Sequence, residues 1–321
     1  MTFSFGVHVG QQNASMDELR ALWRRLDEAG VDWISAWDHL YEAPPSGGTI
    51  AHFEAVATLA AMACETERAR LGVLVCCVPY RNPALLAKSA VAIDHLSGGR
   101  FELGLGAGWH EPEFRAHGYD FAPLGTRFDM LGEGIEIIRS MFTEERTTFT
   151  GEHYQVDDVS TVPGPVRGHL PLWIGGVGEK RTLRLAAKYM DGWNAAYISS
   201  EEFGRLCGVL DQRCAEVGRD PSSIERTINL SFNLGTTVAA TEQVEERMRQ
   251  QFGPGDTLDR IISGALMGTP DQAMDRLAAY RQAGANGINV ALRLPVDDKA
   301  LDAYLHEVIP AARQEFAAEA G

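Results

Sequence analysis

The residues able to do chemistry in this sequence gather at the ends of apolar runs. The densest group is Arg100–Phe121, RFELGLGAGWHEPEFRAHGYDF, where Phe101, Leu103 and Leu105 recur at every second position and Gly104, Gly106 and Gly108 lead into Trp109, His110, Glu111, Pro112 and Glu113. The alternation reads as a strand, and glycines at its end let backbone approach something flat. Histidine and glutamate in one short stretch can accept, donate or relay a proton. The same pattern also suits a plain strand-to-helix turn, since acids are favoured in a helix's first turn. Pattern alone names no reaction.

Other runs end in the same way. The run DWISAWDH ends in Asp38 and His39, a pair that can hydrogen-bond a ligand heteroatom, act as acid or base, or satisfy each other. LGVLVCCVP carries Val75, Cys76 and Cys77 near its end. Adjacent cysteines on a strand point to opposite sides, so they neither chelate one metal nor form a low-strain disulfide, and small side chains lining a flat ligand are the better reading. PLWIGGVGEKR places Gly175, Gly176, Val177 and Gly178 just before a helix opening with Glu179, Lys180 and Arg181. Glycine-rich backbone at a helix N-terminus suits an anion as well as a turn, although the spacing is neither a Walker A loop nor a full GxGxxG. No HxH or HExxH occurs among the nine histidines, which counts against a metal hydrolase.

The elements that must position these groups alternate. Strands are expected to start near Phe3, Asp32, Leu71, Phe101, Leu172, Trp193, Ile228 and Ile288, with amphipathic helices between them. Leu19, Leu22, Trp23 and Leu26 form one helical stripe, and Gly30 closes that helix. Such a beat implies parallel strands with right-handed crossovers and makes a (β/α)8 TIM barrel the leading fold, ahead of a doubly wound open sheet. In a barrel the polar strand ends share one face, the working face. A single domain over residues 1–321 is expected, with a hairpin and loop insertion near 145–171 and a helical insertion near 242–268 that is a candidate lid.

Composition narrows the partners. A net charge of -15 argues against nucleic acid or an anionic membrane surface. Five cysteines without a CxxC pair suggest neither a disulfide framework nor a thiolate zinc site, and fit a reducing cytoplasm. No basic N-terminal region precedes a long apolar run, and no stretch of about eighteen apolar residues calls for a membrane span.

The motifs AWDHLY (36–41), YRNPALLAK (80–88), DHLSGGRFELGLGAGWHEPEFRAHG (94–118) and PLWIGGVGEKRTLRLAAKYMDGWN (171–194) together resemble the bacterial luciferase-like oxidoreductases, specifically the actinobacterial branch that uses the deazaflavin coenzyme F420. The resemblance spans most of the first 200 residues and is more diffuse beyond them. It implies a luciferase-like (β/α)8 barrel, usually a homodimer, with cofactor at the C-terminal face. It implies that Asp38 and His39 lie near the deazaflavin ring, and that Val75 and Cys76 adjoin a non-prolyl cis peptide. It assigns Gly106, Ala107, Gly108 and Glu113 to one wall, and Gly175, Gly176, Val177 and Gly178 to the phosphate turn.

The expected activity is hydride transfer between F420 and a small organic substrate. His39, Glu113 and His110 are the proton-transfer candidates, and Trp109 is a candidate packing surface. Substrate walls are expected from residues 42–50 and 242–268. Pro112 stands where a sugar-phosphate-oxidising relative has a polar side chain, and no basic set is evident in the C-terminal part, which counts against a sugar phosphate. The alternatives are an FMN-dependent monooxygenase on the same fold and a non-catalytic flavin- or deazaflavin-binding protein.

Overall fold

The structure, a computed structural model, describes residues 2–41, 48–252 and 255–318. Strand β1 (Ser4–Val9) leads through helix α1 (Met16–Glu28) to β2 (Trp33–Ala36), and α2 (Ala55–Glu65) leads to β3 (Arg70–Cys77). Helix α3 (Pro83–Leu96) precedes β4 (Phe101–Gly106), which is followed by α4 (Glu111–Ala116) and α5 (Leu124–Thr143). An antiparallel hairpin of β5 (Arg146–Thr150) and β6 (Gln155–Ser160) stands apart from the main sheet. Then come β7 (Leu172–Gly175), α6 (Thr182–Tyr189), β8 (Gly192–Ala196), α7 (Ser200–Glu216) and β9 (Glu225–Leu234). The chain continues through α8 (Val238–Phe252), α9 (Asp256–Ser263), β10 (Ala265–Gly268), α10 (Pro270–Gln282) and β11 (Gly287–Leu292). It closes with α11 (Asp298–Ala303), a π turn and α12 (Ile309–Ala318).

Local chemistry sets these boundaries. Ser15 and Glu18 form a reciprocal capping box at the start of α1, and the Asn82 side chain caps α3, whose first residue is Pro83. Leu19, Leu22, Trp23 and Leu26 are the buried stripe of α1, as their spacing predicts.

Parallel pairing runs β1-β2-β3-β4-β7-β8-β9-β11 and returns to β1, so these strands close an eight-stranded (β/α)8 barrel, the luciferase-like TIM barrel expected from the alternation. One strand escapes that expectation. The apolar tetrad Ala265–Gly268 at the end of the helical 242–268 segment is fully buried as β10, paired with the far half of β9 where β8 has ended. A four-residue strand carries too little periodicity to stand out from the helices beside it.

The N-terminal end of the barrel is plugged. Trp33 and Trp173 pack with ring centroids 4.7 Å apart inside it. Arg70, at the start of β3, bonds Glu102 at 3.1 Å and reaches Glu225, at the start of β9, at 3.0 Å. Burial pushes the Glu102 carboxyl up to about 7 despite the Arg70 charge. The barrel therefore opens to a ligand at its C-terminal end.

Candidate active site

Beyond β2 the chain turns through Trp37, Asp38 and His39 at the open end. Asp38 is buried and its carboxylate is fully engaged: it accepts from the Cys77 amide at 2.9 Å, from Arg81 Nη2 at 2.8 Å and from Arg81 Nη1. Arg81 also reaches Glu54 at 2.5 Å. Asp38 thus ties the β2 loop to the end of β3 and holds His39 out toward the mouth.

His39 Nδ1 lies 2.9 Å from Glu113 Oε2. Glu113 is 0% exposed, and its carboxylate also accepts from the Tyr41 amide at 2.9 Å, the Tyr80 hydroxyl at 2.9 Å and the Leu40 amide. Burial alone would raise its pKa, but the His39 hydrogen bond and charge and the Leu40 and Tyr41 amides outweigh it and hold the carboxyl at about 2. An anion that accepts at Nδ1 puts the imidazole proton there, so Nε2 of neutral His39 is the ring's acceptor. The two expected proton-transfer groups are therefore not equivalent. Glu113, saturated with donors and ionised, orients His39 and has no proton to give.

Aromatic rings surround the pair. Trp109 meets His39 edge-on at 5.5 Å and is 61% exposed, while His110 lies 6.2 Å from His39 and 5.0 Å from Trp109. The His110 carbonyl accepts the Glu113 and Phe114 amides and so starts α4. On the inner side Trp37 lies 6.4 Å from His39 and 5.2 Å from His8. His8 bonds Ser35 Oγ at 2.8 Å, and burial, then the His39 charge, pulls its pKa down to about 3, so it stays neutral.

The glycines of β4 have a different purpose from the one their position suggests. The peptide between Leu74 and Val75 is cis, as the resemblance implies, and the β3–β4 register shifts between Val73 and Cys76. Leu74 and Val75 both pack with Trp33 and Trp173 inside the barrel. A Cβ at Gly104 would lie 2.0 Å from the Val73 carbonyl, at Gly106 2.4 Å from Val75 Cγ2, and at Gly175 2.9 Å from Val75 Cγ1. These glycines make room for the irregular strand beside them. Gly108 takes φ +73° with Cys77 and Phe114 closely packed against it, and Arg127 clasps the turn through the Gly108 carbonyl.

Cys76 is buried beside the cis peptide. It is 1% exposed within the main apolar core, and burial raises its thiol pKa, so it forms no ready thiolate. Leu74 and Val75 both pack on Trp33 and Trp173 beside the register shift, and Cys76 lies in the apolar core.

At the end of β7, the Gly176 amide donates to the Asn194 carbonyl at 3.0 Å and the Gly176 carbonyl accepts from Trp193 Nε1 at 2.7 Å. Val177 is 44% exposed at the rim. Arg181, at the N-cap of α6, makes no side-chain cap, and the Leu183 amide donates instead to the Gly178 carbonyl at 3.0 Å. A cavity of about 550 Å³ opens here, with Gly178, Lys180 and Arg181 facing Leu124 and Phe128.

Several site residues escaped the sequence reading. Tyr80 and Arg81 directly follow β3, which is the signal that could have found them, whereas Arg127 sits inside a helix. A second cavity, of about 530 Å³, brings Arg247 of α8 together with Arg293 beyond β11, a basic pair in the C-terminal part that sequence spacing did not reveal. Of the expected substrate walls, residues 42–47 lie outside the described residues, while Val244, Arg247, Met248 and Ile261 line this second cavity. No group of three or more metal-binding side chains occurs among the described residues, and none of their helices is long and apolar enough to cross a membrane.

A parallel (β/α)8 barrel plugged at its floor, with an ionised Glu113 orienting His39 at the open strand ends, defines a TIM barrel with its polar site on the C-terminal face. The chain belongs to the luciferase-like monooxygenase family, whose model matches residues 1–287. It is 27% identical to an F420-dependent hydroxymycolic acid dehydrogenase of Mycobacterium tuberculosis, over 96% of this chain and 88% of that protein. It is 25% identical to an F420-dependent glucose-6-phosphate dehydrogenase of Microbacterium testaceum, over 98% of each. In fold it is similar to an F420-dependent secondary alcohol dehydrogenase solved with an F420-acetone adduct, with a TM-score of 0.84, 19% identity and coverage of 97% of this chain and 99% of that one.

Proposed function

We propose that this protein is an oxidoreductase that transfers a hydride between coenzyme F420 and a small organic substrate. The relatives matched over nearly the whole chain support the cofactor, and the observation that carries the chemistry is the 2.9 Å bond from His39 to a buried carboxylate at the barrel mouth. The residues suit such a group on their own chemistry. The start of α6, the Val177–Gly178 segment and Lys180 offer backbone and charge to a phosphate-bearing tail. Val75, between Gly106 and Gly175, is assigned to the back of the ring, with Ala107 and Gly108 at its edge.

When bound, the deazaflavin supplies a carbon that accepts or gives up a hydride. His39 Nε2 takes the hydroxyl proton when an alcohol becomes a carbonyl and returns it in the reverse direction. Glu113 stabilises the imidazolium formed and fixes the ring's direction. Trp109 and His110 flank His39, with ring centroids 5.5 and 6.2 Å from it. A cytoplasmic homodimer acting on a small molecule goes with this reading.

The test is to purify the protein from a host that makes both cofactors and identify what is released by mass and absorbance. Deazaflavin is expected. FMN without deazaflavin would overturn the proposal in favour of a flavin monooxygenase.

A further inference from the structure

At the open end of the barrel, the ends of β9 and β11 and the inner face of α8 enclose the second cavity, of about 530 Å³, within the size range of small-molecule sites. Strand register relates it to the site described above. Ala291, which lines it, is the register partner of His8, and His8 in turn pairs with Ser35 of β2, the strand that leads to His39.

The lining divides by chemistry. Phe232, Val244, Met248 and Ile261 supply apolar walls, and Arg247 and Arg293 supply the positive charge. One acid, Asp297, lies in the same lining, and the others nearby are paired. Glu245 and Glu246 pair with Arg249 at 3.3 and 3.5 Å, and Asp297 caps α11 by accepting from the Lys299 and Ala300 amides at 3.0 and 3.2 Å. Neither Arg247 nor Arg293 has an ion-pair or hydrogen-bond partner among the described residues, in a chain whose net charge is -15. Tyr197, Ser231 and Asn233 add neutral polar atoms to the lining, Asn233 donating to Ser231 at 3.1 Å. Two unpaired guanidinium groups in the lining suit an acidic head, and the apolar walls suit a hydrocarbon body.

We propose that this cavity is the substrate chamber and that it takes an amphiphilic anion, with an acidic head held by Arg247 and Arg293 and an apolar body against Phe232, Val244 and Met248. The word substrate rests on the hydride-transfer reading above; the ligand chemistry rests on the cavity itself. The acidic head is a carboxylate or a phosphate monoester, and the test separates them.

The experiment is calorimetric titration of the full-length protein, with and without F420, using octanoate, octyl phosphate and octanamide, probes of equal chain length that carry no oxidisable alcohol. At least one anion is expected to bind about tenfold or more tightly than octanamide, the scale of one charge-assisted bond pair. Changing Arg247→Gln and Arg293→Gln together should erase that preference while the melting temperature and octanamide binding stay near wild type. Equal binding of all three probes, or an anion preference that survives the double change, would overturn the inference. The cofactor titration keeps the two readings apart: F420 binding without anion preference removes the chamber and leaves the oxidoreductase, whereas anion preference without F420 binding does the reverse.

Discussion

His39 Nδ1 and Glu113 Oε2 stand 2.9 Å apart, joining the loop after β2 to the helix after β4 across the end of β3. Tyr80, from that intervening segment, donates to the same carboxylate oxygen at 2.9 Å. The pair is thus held from separate elements, as a group that must present one ring nitrogen in a fixed direction requires.

Replacing His39 tests its assigned role. His39→Asn is expected to lower turnover by about 10²–10⁴-fold, the usual scale of general acid–base catalysis, with F420 affinity changed by less than about threefold. Stopped assays and a cofactor titration on the same preparation measure both. Wild-type turnover in the variant would take His39 out of the proton path.

Glu113 makes stability depend on acid pH. Its folded pKa, about 2, lies below the ordinary 4.5, so its contribution is complete above 4.5 and is lost as pH falls toward 2. The shift corresponds to about 3 kcal/mol. Denaturant titrations of wild type and Glu113→Gln should differ most at neutral pH and converge on acidification. A gap independent of pH would contradict the ionised assignment.

His8 acts in a higher pH window. It is neutral when folded, with a pKa near 3 against an ordinary 6.5, so protons favour the unfolded chain as pH drops below 6.5. The loss approaches about 1.4 kcal/mol per pH unit until the folded pKa is neared. In His8→Asn, urea titrations at pH 7 and pH 5 should show a smaller decline than in wild type. An identical decline would place the sensitivity elsewhere.

The strand irregularity predicts a compensating pair. Gly106→Ala would bring a Cβ to 2.4 Å from Val75 Cγ2 and should cost about 1–3 kcal/mol, as overpacking does. Val75→Ala removes the obstructing methyl, so the double variant should recover part of that loss relative to the sum of the single changes. Strict additivity in chemical denaturation would refute the contact.

What the sequence made legible follows from physical range. Strand and helix periodicity is local, so the barrel and the polar ends at His39, Gly108 and Gly176 could be read from it, along with the hairpin near Gly151. Partnership across the fold is not local. Glu113 as an anion depends on amides and a hydroxyl contributed by Leu40, Tyr41 and Tyr80, and nothing near Glu113 in sequence announces them. The burial of Cys76 in the apolar core was not legible, because the register shift in β3 breaks the alternation by which strand faces are read. The β4 glycines were legible as close approaches, but their neighbour is Val75 and the adjoining backbone. Arg247 and Arg293 reach one cavity only because α8 folds over the ends of β9 and β11.

The central claim is cofactor identity coupled to this site, and a side-by-side equilibrium titration of the purified protein with oxidised F420 and with FMN tests it most directly. The account predicts saturable F420 binding, weakened when Lys180 is changed to Glu at the opening of α6, and FMN binding weaker by about tenfold or more. Tight FMN binding with no saturable F420 binding would contradict it.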